Sequence, residues 1–177
     1  MVQILRTCRA SAALLLALGT GNAQVAPDAV RTQIITEKSL SLRYEIEAAT
    51  AAVDACAANH VHPIVVIVDS RGNTKLQMVG DRSNYNLLDE ARRKARTAAF
   101  MHQSTAALLR ALNANPSMRI PPDPEFLVIP GGAPFRAGSE VVGAIGVAGG
   151  APDLVDSCAE AAVNKLREYL HPEEERN

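Results

Sequence analysis

The sequence predicts an α+β domain with a largely antiparallel five-stranded sheet flanked by helices. Three observations carry this prediction. Segments with helical apolar period and short β-branched runs follow one another in the order α-ββ-αα-βββ-α. Turn chemistry separates neighbouring strand runs, so hairpins dominate. No βαβ alternation is visible, which argues against a doubly wound fold. No internal repeat is evident.

Each element has a local reason. Leu42, Ile46, Ala49, Val53 and Cys56 form one apolar stripe at helical spacing, with Thr36 or Ser39 available as a cap. That helix ends near Asn59–His60, before Pro63. Ile64–Val68 is a β-branched run, short enough for a buried strand. Asp69-Ser70-Arg71-Gly72-Asn73 supplies turn residues, with Gly72 free to take a positive φ, and Thr74–Val79 returns as the second strand. A long helix is expected over 85–102, with Leu88, Ala91, Ala95, Ala98 and His102 on one stripe and Glu90/Lys94 and Asp89/Arg93 as i,i+4 pairs. A second helix over 104–113 opens at Ser104 or Thr105. The proline-rich stretch Asn115–Pro124 is a loop. Phe126–Ile129, Ala133–Arg136 and Glu140–Ala148 read as strands, turned at Gly131-Gly132 and Gly138-Ser139. Small residues in the last of these (Gly143, Ala144, Gly146, Ala148) leave room for a close helix or a flat ligand. A helix over 152–170 closes the domain.

The N-terminus reads as a removable secretion signal over residues 1–23. Arg6 and Arg9 precede the apolar run Ala10–Gly19, and Gly21 and Ala23 are small residues before a cut at Gln24. The alternative is a short N-terminal anchor. Cys8 precedes the apolar run and is no lipoprotein acceptor. Residues 24–35 read as a flexible leader, 36–171 as a single domain and 172–177 as an acidic tail. The expected location is periplasmic or secreted, with no membrane span after cleavage. The chain is nearly neutral, at net charge −1, and holds three Phe, three Tyr and no Trp. Neither nucleic-acid binding nor base stacking is expected from that balance. Cys56 and Cys158 follow the cut; an even count in an oxidising compartment permits one disulfide, and two buried thiols are the other reading.

Phosphate-binding loops, HExxH, CxxC and GxSxG motifs are all absent. Pro130-Gly131-Gly132-Ala133-Pro134 lies between strands, whereas a phosphate cradle opens a helix. It reads as a tight turn that lines a pocket. His60 and His62 sit where imidazoles satisfy helix-end carbonyls, and His171 at the chain end is expected in solvent. His102 continues an apolar stripe, so its ring is expected to face the sheet or a cavity. It is a buried cap residue on one reading, and an axial haem ligand or proton carrier on the other. Arg92, Arg93, Lys94 and Arg96 are either a salt-bridged surface or a carboxylate-binding cluster.

The pieces VVIVDSRGN, ARRKARTAAF, PGGAPF and VVGAIGVAGG, in this order, resemble the GlcG/HbpS-like family, which also occurs as the C-terminal domain of PduO-type proteins. The resemblance spans residues 38–168. It implies a profilin-like sheet, self-association into homo-oligomers, and in HbpS-like members an exported haem-binding protein acting as carrier, buffer or sensor component, some with haem-degrading activity. It places the terminal helices side by side, which favours a Cys56–Cys158 disulfide. Two departures stand out: Gln77-Met78-Val79-Gly80 where relatives often have Arg-Met-Asp-Gly, and Leu154-Val155 where they often have Gln-Asp. Lys94, Thr97 and Thr105 match the family.

The resulting expectation is a haem site beside the 85–113 helices. Ala91, Ala95 and Ala98 would leave space for the ring, Arg92 and Arg96 would hold the propionates, and His102 or Thr105 would face the iron. One rival is a small metal-free enzyme acting on a small organic acid or ring compound, with Lys94, Asp69 and His102 as acid/base candidates. The other is an interaction protein that docks on a sensor or transport partner.

Overall fold

The computed structural model describes residues 37–170. Leader residues 1–35, Thr36, His171 and the acidic tail lie outside them. The elements in chain order are α1 (Leu42–Ala57), β1 (Ile64–Val68), β2 (Thr74–Val79), a 3-10 turn (Tyr85–Leu87), α2 (Leu88–Met101), α3 (Thr105–Ala114), β3 (Gly132–Ala137), β4 (Glu140–Ala148) and α4 (Pro152–Leu170). The fold is α+β, with one antiparallel sheet of order β2-β1-β4-β3.

The sheet has four strands where the sequence predicts five. Phe126–Ile129 is not a strand, because helix α2 takes its backbone groups. The Leu127 amide donates to Thr97 Oγ1 at 2.7 Å, and the Phe126 carbonyl accepts from Arg93 Nη2 at 3.0 Å. A segment whose polar backbone is satisfied by side chains has nothing left to offer a ladder.

Both faces of the central strands are covered, which explains why β1 reads as an unbroken apolar run. Val65 and Ile67 face α1 and α4, together with Phe135, Ile145 and Val147. Ile64, Val66 and Val68 face α2, together with Ala144 and Ala148. The Asp69 turn forms as the sequence predicts. Asp69 Oδ1 accepts from the amides of Arg71 and Asn73, each at 2.9 Å, and Gly72 takes φ +81°.

Helix α1 is rotated from the predicted stripe. Leu42 and Ile46 are 60% and 44% exposed, while Glu45, Ala48, Ala49, Ala52 and Cys56 are buried. Close packing against α4 selects the smallest side chains for the contact face, and Ala and Cys outrank Leu and Ile there. The Cys56–Cys158 bond joins the two helices, with Cα atoms 5.5 Å apart. Ser39 does not cap α1. Ser39 Oγ lies near the Leu40 carbonyl, Thr36 is outside the described residues, and the N-cap is Ser41 without a side-chain bond.

The small residues of α2 and β4 serve each other. Ala91, Ala95, Ala98 and Ala99 are fully buried against β1 and β4. A Cβ on Gly146 would overlap the Ala91 carbonyl oxygen. The room expected for a flat ring is therefore filled by the helix–sheet contact itself. No helix among the described residues is long and apolar enough to cross a membrane.

Candidate functional site

Helix α2 ends in a left-handed residue, His102, at φ 53°, and α3 begins three residues later under the Ser104 cap, whose Oγ accepts from the Ala107 amide at 3.2 Å. The αL turn swings His102 off the apolar stripe. Its side chain is exposed rather than facing the sheet, and its carbonyl accepts from Arg136 of β3. Straight extrapolation of the helical period past Met101 placed the ring wrongly.

The basic row of α2 clamps the following loop. Arg92 binds Glu125 and, at 2.7 Å, Asp89. Glu125 in turn holds the Arg92 guanidinium above its ordinary pKa, and Arg92 holds the Glu125 carboxyl below its own. Arg96 pairs with Asp123 at 3.6 Å and lies over the Phe100 ring, 4.8 Å from its centroid. Arg92 and Arg96 are thus engaged with acids of this chain, and the propionate role assigned to them competes with those pairs.

Lys94 is buried, at 1% exposure. Its Nζ donates to the Val147 carbonyl at 3.1 Å and pairs with Glu90 Oε1 at 2.7 Å. The reason lies in Gly131. The Val147 amide donates to the Gly131 carbonyl at 2.8 Å, which is half of an antiparallel rung. At φ +112° the Gly131 amide turns away and donates to Asp156 Oδ1 of α4 at 3.0 Å. Lys94 fills the vacated acceptor, so its ammonium completes the sheet. Thr105 is fully buried, and its Oγ1 accepts from the Gly132 amide at 2.9 Å. The hydroxyl expected near a haem iron is committed to the edge of β3.

Asp69 lies elsewhere. Val147 pairs with Val65 of β1, so Lys94 reaches the sheet four residues from Asp69. At about 3.3 Å per residue that is roughly 13 Å along the strand. Burial disfavours the Asp69 carboxylate, but bonds from the Asn73 side chain and from the Asn73 and Arg71 amides outweigh it and hold the pKa below its ordinary value. Lys94, Asp69 and His102 are not gathered into one acid/base site. His60 and His62 are exposed, His60 at φ 59°.

A groove of about 350 Å³ opens beside β3, lined by Ser104, Ala133, Pro134, Glu160, Val163, Asn164 and Arg167. Its α4 wall was missed in the sequence. The signal was present: Asp156, Glu160, Asn164 and Arg167 form a polar row at i, i+4, i+8 and i+11. Arg167 donates to Asn164 Oδ1 at 2.5 Å, which fixes the guanidinium at the groove wall. His102 precedes the rim residue Ser104 by two positions.

A family model described as haem degrading protein HbpS-like matches residues 40–164. The chain belongs to this family. HbpS itself, as a crystal structure, is 32% identical and superposes with a TM-score of 0.70, covering 76% of this chain and 95% of its own. A double mutant of HbpS from Streptomyces reticuli is 31% identical, with a TM-score of 0.69 over 89% of this chain and 99% of its own. An uncharacterised 15.0 kDa protein of Citrobacter freundii is 30% identical over 121 residues, 66% of this chain and 85% of the relative. The PduOC:haem complex, 21% identical, shares the fold at a TM-score of 0.65 over 72% of this chain and 94% of its own. Within the HbpS-like frame, the Val155 departure has a packing role: its methyl group lies under Gly131, where the sheet rung opens.

Proposed function

We propose that this chain is an exported haem-binding protein, a carrier, buffer or sensor component, which holds haem at its surface. Membership of the HbpS-like family over residues 40–164 carries the reading. A haem is held by a flat apolar seat, an axial ligand such as an imidazole, and cations for its propionates. The groove offers Ala133, Pro134 and Val163 as a seat and Arg167 as a cation, and the exposed imidazole of His102 stands two residues from its rim. These residues fit a haem laid against the β3 edge, not one enclosed between α2 and the sheet. Bound haem would supply an iron centre for redox or ligand chemistry; the chain would supply the imidazole of His102, the apolar seat and the Arg167 guanidinium. Export is supported by the 1–23 signal pattern and by a buried cross-link of a kind that persists in oxidising compartments.

Haemin titration followed by absorbance tests the reading. A defined Soret band that shifts in His102→Ala and weakens in Arg167→Ala is the expected result. A spectrum identical to free, aggregated haemin would rule it out.

A further inference from the structure

Helix α2 closes on a residue type that its backbone conformation disfavours. A left-handed φ brings Cβ close to the following carbonyl oxygen, so helix ends of this kind favour glycine. Here the residue is His102, at φ 53° and ψ 31°. Such an end is ordinarily held by amides that donate back to the last helical carbonyls. Among the described residues, neither the His102 nor the Gln103 amide makes that bond. The local backbone therefore leaves the turn unbraced.

The brace comes from the sheet. Arg136 Nη2 donates to the His102 carbonyl, and Nη1 of the same guanidinium donates to the Ser139 carbonyl at 3.0 Å. The planar fork spans two carbonyls, one in the α2–α3 turn and one in the β3–β4 turn. Two features fix the fork itself. Phe135, the preceding residue, is fully buried in the core. The β3–β4 register shifts between Phe135 and Arg136, and such irregularities re-aim the side chain beside them. Pro134, two residues earlier on the same strand, lines the groove. One strand thus carries part of the groove wall and the clamp on the turn that bears the imidazole.

We propose that Arg136 is the positioning residue of His102. It locks the left-handed turn onto β3, so the imidazole leaves the backbone from one fixed point relative to Ala133 and Pro134. Without the fork, ligand binding must order the turn as well, which weakens it. The purpose of the clamp rests on the haem reading above; the clamp itself is measurable without haem.

Three variants of the full chain decide it: Arg136→Met, which keeps the stem and removes both donors, His102→Ala, and the double variant. With haemin, Arg136→Met weakens binding by roughly tenfold and moves the Soret band towards that of His102→Ala. The double variant binds no more weakly than His102→Ala alone, because Arg136 acts through the imidazole. Losses that add would make Arg136 a general brace of the groove and overturn the proposal. So would a parent-like Soret band in Arg136→Met. Without haemin, ¹⁵N relaxation reads the turn. The order parameters of His102 and Gln103 fall from about 0.85 in the parent to below about 0.6 in Arg136→Met, while those of β1 stay as they are. Unchanged values at 102 and 103 overturn the clamp. If the parent gives no Soret band, the haem reading fails and these order parameters alone judge Arg136. Arg136→Lys covers a folding defect of the methionine variant. It keeps charge and stem but cannot span both carbonyls, so the same losses are expected in smaller measure.

Discussion

Two buried charged residues show how single side chains answer to their surroundings. Glu45 is 2% exposed on the packed face of α1. Burial raises its pKa above the ordinary 4.5, opposed by Lys75 and assisted by Asp69. A folded-state pKa above the unfolded one means the native state binds more protons, so the stability Glu45 contributes is full below pH 4.5 and is lost as pH rises through the folded value. Glu45→Gln removes that loss. The variant is expected to be more stable than the parent at neutral pH, with the difference shrinking towards pH 4, as read by urea denaturation at several pH values. Lys94 is the opposite case, because its charge has a carbonyl and a carboxylate to meet. Lys94→Met keeps the stem but strands the Val147 carbonyl, at a cost of about 1–3 kcal/mol in the same assay. An unchanged midpoint would mean that Lys94 does not complete the rung. The sequence marked Lys94 as chemically interesting through its basic neighbours. That its partner would be a backbone carbonyl was not legible, because the rung opens only when Gly131 turns its amide to Asp156, 25 residues away.

At the scale of elements, sequence pattern located every α-helix and all four strands among the described residues, and it failed where backbone groups found unexpected partners. Phe126–Ile129 has strand composition, yet Thr97 and Arg93 claim its amide and carbonyl. Nothing in a four-residue apolar run records that a threonine oxygen on another element will accept from its amide. Thr97→Val is therefore expected to free the Leu127 amide and loosen the 123–132 segment. Hydrogen exchange at Leu127 should rise strongly, while amides of β1 keep their protection. Equal exchange in both proteins would remove Thr97 from this role. The stripe Ala91, Ala95, Ala98 illustrates the second kind of failure. Small residues at helical spacing signal close approach, but sequence leaves open whether a ligand or a sheet approaches. Gly146 decides it, since its missing Cβ is where the Ala91 carbonyl sits. Gly146→Ala should prevent α2 from docking and yield little folded protein, whether or not haemin is supplied.

For the whole molecule, the Cys56–Cys158 link joins α1 to α4 across 102 residues of chain. Removing a native disulfide from a small domain typically costs about 2–5 kcal/mol, and the Cys56→Ala/Cys158→Ala protein should lose stability on that scale by thermal denaturation while keeping its helical spectrum. The same architecture directs ligand chemistry to the outside. With α2 pressed on one face and α1 and α4 on the other, one groove lies at the β3 edge, and His102 is delivered to the surface by a left-handed turn. Haemin titration of the parent, His102→Ala and Thr105→Val proteins, followed by absorbance, tests this most directly. The account predicts a Soret band in the parent, a shifted and weakened band in His102→Ala, and an unshifted band in Thr105→Val. A bound spectrum that depends on Thr105 and is indifferent to His102 would contradict it.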